Sequence, residues 1–379
     1  MVLDDVYPLP WSGFRVAEFN AYLDAFDDAE VHSSGDRLFS FGSRAQFADI
    51  VDEYSVQHPS YRGRILKFHP WRGLSHKGAA YSLFVGTTHR YVKTLERYRV
   101  PLIFTLYPGG GFALDDPRSD AMLRAIFGSK VFRKVIATQS VTRDYLVSRG
   151  LCDPGDIELV YGGVFRSGEL ASAPLPHARY GLDKASLDIC FVAHKYMPQG
   201  RDKGYDRFIA TAKLLAARFD DVHFHVVGPF SDADVPIHGL EGRLTFYGNQ
   251  AATFFREFYA RMDAILSPNL PFVLRKGAFD GFPTGSCMEA GMCGVAVFCT
   301  DTLKLNVALR DGEEVVVIPS EPDEIADVLA EYRAAPERLA QLGAAAAARF
   351  PKLFGAEEQM PPRLRLLSNL LGAPGPGRP

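Results

Sequence analysis

The segment best suited to chemistry is a turn rich in glycine and proline that opens a helix at residues 279–291. It reads Phe-Asp-Gly-Phe-Pro-Thr-Gly-Ser-Cys-Met-Glu-Ala-Gly. The first free N–H groups of the predicted helix come from Thr284, Gly285 and Ser286, and such a helix start binds phosphate because it carries partial positive charge. Glu289 follows inside the helix, where a carboxylate can accept both hydroxyls of a ribose. The segment predicts a nucleotide site; an ordinary loop and helix with a surface acid is the alternative.

A second acid, Asp280, stands at the mouth of this turn, where it can accept hydroxyl groups of a sugar. The whole segment resembles the family-4 retaining glycosyltransferases of GT-B fold, whose signature is two acids around a Gly/Pro turn, followed by a small-residue helix and a strand. Glu289 matches the second acid. Asp280 lies one residue too far from it to match the first acid, which we attribute to a one-residue insertion. The resemblance implies that Asp280 orients the donor sugar and that Phe282 belongs to the nucleotide-sugar site.

A basic loop at residues 191–204 fits the same family, in which a Gly-Arg pair and a Lys-Gly pair neutralise the departing nucleotide diphosphate. Lys203 and the glycine after it match the Lys-Gly pair. The arginine position holds His194 and Lys195 instead, and the loop is longer, so Arg201 or Lys195 would supply the second charge. A solvated basic loop is the alternative.

Two glycine turns mark the first half of the chain. Gly13 opens a predicted helix after the first strand, where the family brings its backbone close to the donor phosphate. Gly110 and Gly111 belong to a run of three glycines that permits unusual backbone angles and the close approach of a ligand. Tyr107 stands near the place where many family members have a histidine that contacts the donor sugar. A plain tight turn is the alternative explanation of the glycine run.

The composition restricts the class of protein. The 379 residues are 47% hydrophobic and 23% charged, which is ordinary for a globular protein. With 45 acidic and 42 basic residues, the net charge is -3, which makes the chain a poor candidate for binding nucleic acid. Five cysteines without a CxxC pair argue against a disulfide framework or a zinc ribbon. The acidic N-terminus and the lack of a long apolar run predict a cytoplasmic protein, at most peripheral to a membrane.

Signals for a metal are weak. Asp232 and Asp234 form a DxD pair in a polar loop, which we interpret as solvated surface. His223 and His225 alternate along a predicted strand and are more typical of packing than of metal binding. We therefore predict no metal and no cofactor besides the nucleotide-diphosphate sugar that serves as donor.

Short apolar runs alternate with helical patterns, which predicts an α/β fold with parallel sheets. With the resemblance, this gives a GT-B fold of two Rossmann-like domains that face a cleft. The predicted N-terminal, acceptor-side domain spans residues 1–165 and a linker spans 166–183. The nucleotide-sugar domain spans 184–350, a crossover helix at 351–371 packs on the N-terminal domain, and a disordered tail covers 372–379.

The predicted function is transfer of a sugar from a nucleotide-diphosphate sugar to an acceptor hydroxyl. The resemblance implies retention without a metal, with Asp280, Lys203 and Glu289 as catalytic residues. Acceptors would be glycans, lipid-linked sugars or other hydroxyl compounds in polysaccharide, glycolipid or other glycoconjugate synthesis. Two alternatives stay open: a nucleotide-sugar epimerase of the same fold, and a non-catalytic protein that binds nucleotide or glycan.

Overall fold

The computed structural model describes residues 1–9, 13–35, 45–70, 74, 77–166 and 177–372. The chain divides into two compact units, one of Met1–Phe165 with Ala356–Pro379 and one of Arg166–Gly355. Each unit is built around one parallel β-sheet.

The first unit contains a seven-stranded sheet in the order β3-β2-β1-β4-β5-β6-β7. Its strands β1 to β7 are Val2–Asp4, Val31–Ser33, Ile65–Lys67, Ala80–Leu83, Leu102–Leu106, Phe132–Ala137 and Ile157–Leu159. The order of the strands reverses between β1 and β4. In open α/β sheets, ligands bind beyond the carboxyl ends of the strands at such a reversal.

The second unit repeats this plan with six strands in the order β10-β9-β8-β11-β12-β13. Its strands β8 to β13 are Leu187–Val192, Val222–Val227, Leu244–Gly248, Ala264–Ser267, Ala296–Cys299 and Val316–Val317. Here the order reverses between the paired strands β8 and β11.

Helices lie between the strands, as parallel connections require. In chain order α1 to α12, the helices of the described residues are Gly13–Ala25, Phe47–Gln57, Val85–Tyr98, Pro117–Phe127, Ser140–Ser148, Tyr205–Arg218, Ala252–Tyr259, Gly285–Met292, Pro322–Arg333, Pro336–Arg349, Pro351–Phe354 and Ala356–Leu371. None of them is long and apolar enough to cross a membrane.

The sheets form because their central strands are apolar on both faces. Every residue of β5 and of β12 is buried, as expected for parallel strands that are covered by helices on each side. In the second unit, Phe208 on α6 and Ile325 on α9 pack in one cluster with Phe191 on β8. This core gives the loops at the carboxyl ends of the strands a rigid base.

Two predicted boundaries need correction. The predicted linker at 166–183 lies partly outside the described residues, but Tyr180 is buried in the core of the second unit and its N–H donates to Asp263. The second unit therefore begins before residue 184. The segment predicted as one helix at 351–371 is two helices, because Gly355 is extended between them. The predicted tail lies outside the described residues after Gly372.

Candidate functional site

The candidate site lies where the sheet of the second unit reverses its order. The loop after β8 ends in a short 3-10 helix, Pro198–Lys203, and the loop after β11 leads to the start of α8. Because β8 and β11 are neighbours, their loops leave the same edge of the sheet side by side. Two sequence-predicted residues that lie 77 positions apart, Lys203 and Asp280, meet there.

The Lys203 ammonium binds both carboxylate oxygens of Asp280. The distances from Lys203 Nζ are 2.7 Å to Oδ1 and 2.8 Å to Oδ2, and Asn269 Nδ2 donates to Oδ2 at 3.0 Å. Burial is the largest single influence on the pKa of Lys203 and lowers it, but the charge and hydrogen bond of Asp280, together with the charges of Tyr196 and Asp202, raise it overall. Lys203 is therefore a fixed cation, and an ammonium group that donates to two oxygens has a third N–H left for a ligand.

Gly204 allows the two loops to come this close. Its φ is +72°, and a Cβ at this position would lie 2.2 Å from the carbonyl oxygen of Pro268. Any other residue would push the loop after β8 away from the loop after β11, and with it Lys203 from Asp280. A glycine is therefore required after Lys203, because any side chain at position 204 would clash with the loop after β11.

We expect Gly204→Ala to destabilise the protein more than Gly239→Ala. Both positions have a left-handed backbone, which costs a non-glycine residue about 1–2 kcal/mol, but a Cβ at Gly239 would meet nothing within 4 Å. The extra loss at Gly204 measures the clash with Pro268. Urea unfolding of the two variants gives the comparison, and equal losses would show that the loops do not depend on this contact.

The start of α8 presents its first N–H groups beside the pair of Lys203 and Asp280. Thr284 precedes the helix, and its side chain makes no capping hydrogen bond to these N–H groups. Thr284 Oγ1 lies 3.3 Å from the hydroxyls of both Ser267 and Ser286. A helix start with open N–H groups and three hydroxyls is suited to an anion.

A pocket with an empty volume of about 350 Å³ opens at this place. Asp280, Phe282 and Thr284 form part of its wall, and the end of β12 with the loop after it, residues 299–303, forms another part. Asn269 also lines the pocket, so the bond from Asn269 fixes the Asp280 carboxylate at the wall. The side chain of Phe282 is buried.

Glu289 lies further along α8 and is not part of this wall. Burial raises its pKa to about 7, and within the described part of the chain its carboxylate has no hydrogen-bond or ion-pair partner. It is close enough to Tyr259 to contribute to the raised pKa of that phenol, after burial. An acid that is desolvated without compensation costs stability, and a ligand with hydroxyl donors would relieve that cost.

The other predicted basic residues differ in their availability. The Lys195 ammonium binds both oxygens of Asp234, at 2.8 and 2.9 Å. Arg201 is exposed, with Nε 4.0 Å from Asp206. Burial, followed by the charge of Lys203, lowers the pKa of His194, so this ring is neutral at pH 7. Of the candidates for the second charge, Arg201 is the one with a loosely held cation.

The DxD pair is not uniformly solvated surface. Asp232 is exposed as predicted, but Asp234 is partly buried and pairs with Lys195, so the interpretation of Asp234 as solvated was wrong. His225 Nε2 lies 2.8 Å from Asp188 and its Nδ1 3.1 Å from the Tyr247 hydroxyl. In the described ranges no three metal-ligating side chains come together.

Sequence reasoning missed Asp202, the residue before Lys203. Asp202 is buried, and neither of its carboxylate oxygens has a hydrogen-bond partner among the described residues. Burial raises its pKa, and Lys203 offsets that shift only in part. Its position in the sequence could have identified it, because an acid that directly precedes the Lys-Gly pair lies in the surroundings of that lysine.

Packing within the first unit explains Gly110 and Gly111. Gly13 is the first residue of α1. A Cβ at Gly110 would lie 2.3 Å from the ring of Phe84, and one at Gly111 would lie 3.3 Å from Val85. Gly110 O also accepts a hydrogen bond from Gly86 N. The glycines therefore make room for the start of α3, which is a sufficient reason for them without a ligand.

Tyr107 does not present its hydroxyl at the surface of the first unit. It is 8% exposed, and its hydroxyl donates to Glu18 Oε2 at 3.0 Å. Glu18 Oε1 accepts from Arg363 Nε at 3.2 Å, and both side chains are fully buried. Tyr107, which directly follows β5 and stands near the place where many family members have a histidine, thus belongs to a buried network that also includes α1 and α12.

Comparisons with known proteins identify relatives of this architecture. The family model described as glycosyl transferases group 1 matches residues 187–333. No curated protein sequence matches the chain. Among solved structures, HepE of Anabaena in complex with UDP is similar at a TM-score of 0.70 and 17% identity, over 97% of this chain and 99% of that chain.

Two further structures agree in fold. Sucrose-phosphate synthase of Thermosynechococcus elongatus has a TM-score of 0.64 and 16% identity, over 98% of both chains. The lipopolysaccharide outer core galactosyltransferase WaaB has a TM-score of 0.59 and 14% identity, over 97% of this chain and 99% of that chain. These neighbours are GT-B glycosyltransferases, so the predicted α/β GT-B fold class is confirmed.

Proposed function

We propose that the protein transfers a sugar from a nucleotide-diphosphate sugar to an acceptor hydroxyl, because residues 187–333 match the family model described as glycosyl transferases group 1. The observation that carries this proposal is the meeting of Lys203, Asp280 and the open start of α8 at the strand-order reversal of the second unit. These groups match the parts of a sugar nucleotide: a cation and a helix start for the diphosphate, and a carboxylate for the sugar.

The charges of the site residues determine the roles that we propose for them. As the bond between sugar and diphosphate breaks, negative charge grows on the diphosphate, and Lys203 and the N–H groups of Gly285 and Ser286 stabilise it. Asp280 accepts sugar hydroxyls and orients the sugar. Asn269 holds one oxygen of Asp280, so the second oxygen is the one that a sugar hydroxyl would engage when the diphosphate draws Lys203 toward itself.

Glu289 is proposed to bind the ribose. Its carboxylate is partly buried and has no partner among the described residues, and two ribose hydroxyls would supply hydrogen-bond donors. HepE of Anabaena was solved with UDP and with UDP-glucose, so UDP-linked hexoses are the first donors to test. We further propose that the anomeric configuration is retained and that no metal or other cofactor takes part, because Lys203 and the α8 start already place positive charge at the diphosphate.

The site described above binds the donor, and the acceptor is proposed separately. The acceptor is a hydroxyl of a glycan, a lipid-linked sugar or another glycoconjugate precursor, and WaaB, named for the lipopolysaccharide outer core, offers one such class. A cytoplasmic or membrane-peripheral location stays a prediction.

We expect Glu289→Gln to weaken UDP binding by about 1–3 kcal/mol at pH 8, because a charge-assisted hydrogen bond is lost. The pKa of Glu289 is about 7 in the empty protein, so below that pH the wild type must first release a proton from Glu289. The advantage of the wild type over Glu289→Gln should therefore shrink as pH falls from 8 to 6. Calorimetric titrations of both proteins with UDP measure this difference in affinity. The protonation of UDP itself affects both proteins equally and therefore cancels in the difference.

The same substitution should raise the stability of the empty protein at pH 8. The pKa of Glu289 is raised from 4.5 to about 7 by burial, so its favourable contribution is complete below pH 4.5 and is lost as pH rises through 7. Glutamine resembles the neutral form at every pH. A variant that is less stable at pH 8, or an affinity difference that does not change with pH, would contradict the role of Glu289.

Mass spectrometry of the products tests the reaction and separates the alternatives. UDP-hexoses are incubated with a mixture of glycan and glycolipid acceptors, with and without EDTA. A transferase adds one hexose mass to an acceptor in both conditions. An epimerase leaves acceptor masses unchanged but alters the sugar of the donor, which NMR detects, and a binding protein changes neither. Activity that is lost with EDTA and restored by manganese would contradict metal independence.

A further inference from the structure

Lys203 is accompanied by two acids that are held in different ways. Its ammonium contacts both carboxylate oxygens of Asp280, whereas neither oxygen of Asp202 has a hydrogen-bond partner among the described residues. Asp202 is only 5% exposed, so its carboxylate is also shielded from solvent. Buried polar groups are hydrogen-bonded in the great majority of cases, and an exception requires an explanation.

The backbone on both sides of Asp202 is held in place. Gly200 lies against Phe230, since a Cβ at this glycine would be 2.4 Å from the phenyl ring. Gly204 lies equally close to the carbonyl oxygen of Pro268. Neither glycine can move inward without a clash. The burial of Asp202 is therefore a property of the folded loop.

The charges that act on Asp202 are those of Lys203 and Asp280. Burial raises the pKa of Asp202 most; Lys203 lowers it, Asp280 raises it, and the N–H groups of Asp202 itself and of Tyr196 lower it. Lys203 is thus the main group that favours the ionised form. The other titratable groups nearby in the chain are Arg201 and Asp206, which lie 4.0 Å apart, and the neutral ring of His194.

A diphosphate beside Lys203 would change this balance. With both acids ionised, Asp202, Asp280 and Lys203 together carry one negative charge, which opposes an anionic ligand. The ligand also neutralises the ammonium that favours the ionised form of Asp202. A nearby like charge and burial then both raise the pKa of this acid. Protonation of Asp202 removes one of the negative charges that face the ligand.

We propose that Asp202 takes up a proton from solvent when the diphosphate of a sugar nucleotide binds beside Lys203. In the empty protein the ionised acid helps to keep Lys203 charged, and in the complex the neutral acid no longer repels the ligand. The proton adds to one carboxylate oxygen of Asp202, and no bond of the ligand changes. Asp202 is a positioning residue that acts through Lys203. The inference rests on the proposed function, because it requires the diphosphate to lie at Lys203.

Titration calorimetry of the full chain with UDP-glucose between pH 5 and pH 8 tests the proposal. Unlike UDP, UDP-glucose has no terminal phosphate group that titrates in this range. Each titration is run in two buffers of different ionisation enthalpy, because the difference in heat gives the number of protons taken up. We expect the wild type to take up more protons than Asp202→Asn. Any proton that Glu289 releases is common to both proteins and cancels.

The affinities provide a second measurement. A group whose pKa rises on binding opposes binding as the pH increases, and asparagine resembles the neutral acid at every pH. Asp202→Asn should therefore bind UDP-glucose about tenfold more tightly than the wild type at pH 8, the size of effect that one nearby charge has on a buried acid. This advantage should shrink as the pH falls to 5. Asp202→Ser, which also lacks the carboxyl group, should show the same gain, and damage to the fold would not increase affinity.

Asp232→Asn is the matched control, because Asp232 is an exposed acid on the loop after β9, the strand next to β8. Solvent and salt screen its charge, so its affinity should stay within about twofold of the wild type at each pH. Melting curves verify that the variants fold.

Two results would overturn the proposal alone: equal proton uptake by the wild type and Asp202→Asn, or UDP-glucose affinities of the Asp202 variants at pH 8 that do not exceed the wild type. Absence of binding by UDP-glucose and by other nucleotide-diphosphate sugars at every pH would overturn the proposed function, and this inference with it.

Discussion

Lys203→Ala should lower kcat for sugar transfer by about 10²–10³-fold, the usual loss when one preorganised charge stabiliser is removed from a reaction site. The KM for the donor should change less, because the charge on the departing diphosphate grows toward the transition state. The structure adds a second reason. Lys203 holds both oxygens of Asp280, so its removal also frees the carboxylate that would orient the sugar. Steady-state kinetics with saturating acceptor measure both constants.

Lys195→Ala is the matched control for this prediction. Lys195 lies in the same loop, but its ammonium is held by both oxygens of Asp234. It should therefore reduce kcat by less than about tenfold, below the loss expected for a charge that acts on the reaction. If Lys195→Ala costs as much as Lys203→Ala, or if Lys203→Ala keeps the wild-type kcat, the diphosphate does not lie at the pair of Lys203 and Asp280.

Arg363→Met should destabilise the first unit by about 3–5 kcal/mol, because it leaves the buried charge of Glu18 without its partner. The two side chains are fully buried, with Nε 3.2 Å from Oε1. Arg363 also donates to Gln359 on the same helix. Both tryptophans, Trp11 and Trp71, lie in the sequence of the first unit, so urea unfolding followed by tryptophan fluorescence reports on that unit.

Arg365→Met on the same helix is the control. Arg365 is 61% exposed and pairs with Glu158 at 3.2 Å, and exposed ion pairs contribute about 0–1 kcal/mol. Adding Glu18→Gln to Arg363→Met removes the uncompensated charge, so the double variant should recover much of the lost stability. Equal effects of Arg363→Met and Arg365→Met would mean that α12 is not anchored by the buried pair.

The groups of the candidate site were accessible from the sequence because their chemistry is local. A cation before a glycine at Lys203 and an acid in a Gly/Pro turn at Asp280 can each be recognised within a few residues. Their meeting follows from strand order, because β8 and β11 are neighbours and their loops leave the same edge of the sheet. The pairing of Lys195 with Asp234, 39 residues away, has no such local sign, and the sequence therefore left Lys195 as a candidate for the diphosphate.

The fold was predictable where strands are long and apolar. Apolar runs at 187–192 and 222–227 predict two strands, and the structure has strands at Leu187–Val192 and Val222–Val227. Three strands of the first unit were missed: Val31–Ser33, Ile65–Lys67 and Ala80–Leu83. Each has three or four residues and a polar member, and such a run is too short for periodicity to show. These segments are strands because they pair with neighbouring strands of the sheet, and their own residues do not indicate it.

The buried network around Tyr107 could not be predicted from the sequence, because its members are far apart in the chain. Its members Glu18 and Arg363 are 345 positions apart, and nothing near either residue announces a buried partner. Burial of both charges becomes favourable only when α12 lies against α1, because each then satisfies the other. The sequence places a tyrosine near the family's histidine, but the structure supplies the contacts that occupy its hydroxyl.

A crystal structure of the full chain with UDP would show whether the second unit binds a nucleotide diphosphate where its strand order reverses. We expect diphosphate oxygens at about 3 Å, within hydrogen-bond distance, from Lys203 Nζ and from the N–H groups of Gly285 and Ser286. We also expect the ribose hydroxyls to donate to the Glu289 carboxylate. A diphosphate bound away from Lys203 and the start of α8, with Glu289 still unpartnered, would contradict this expectation.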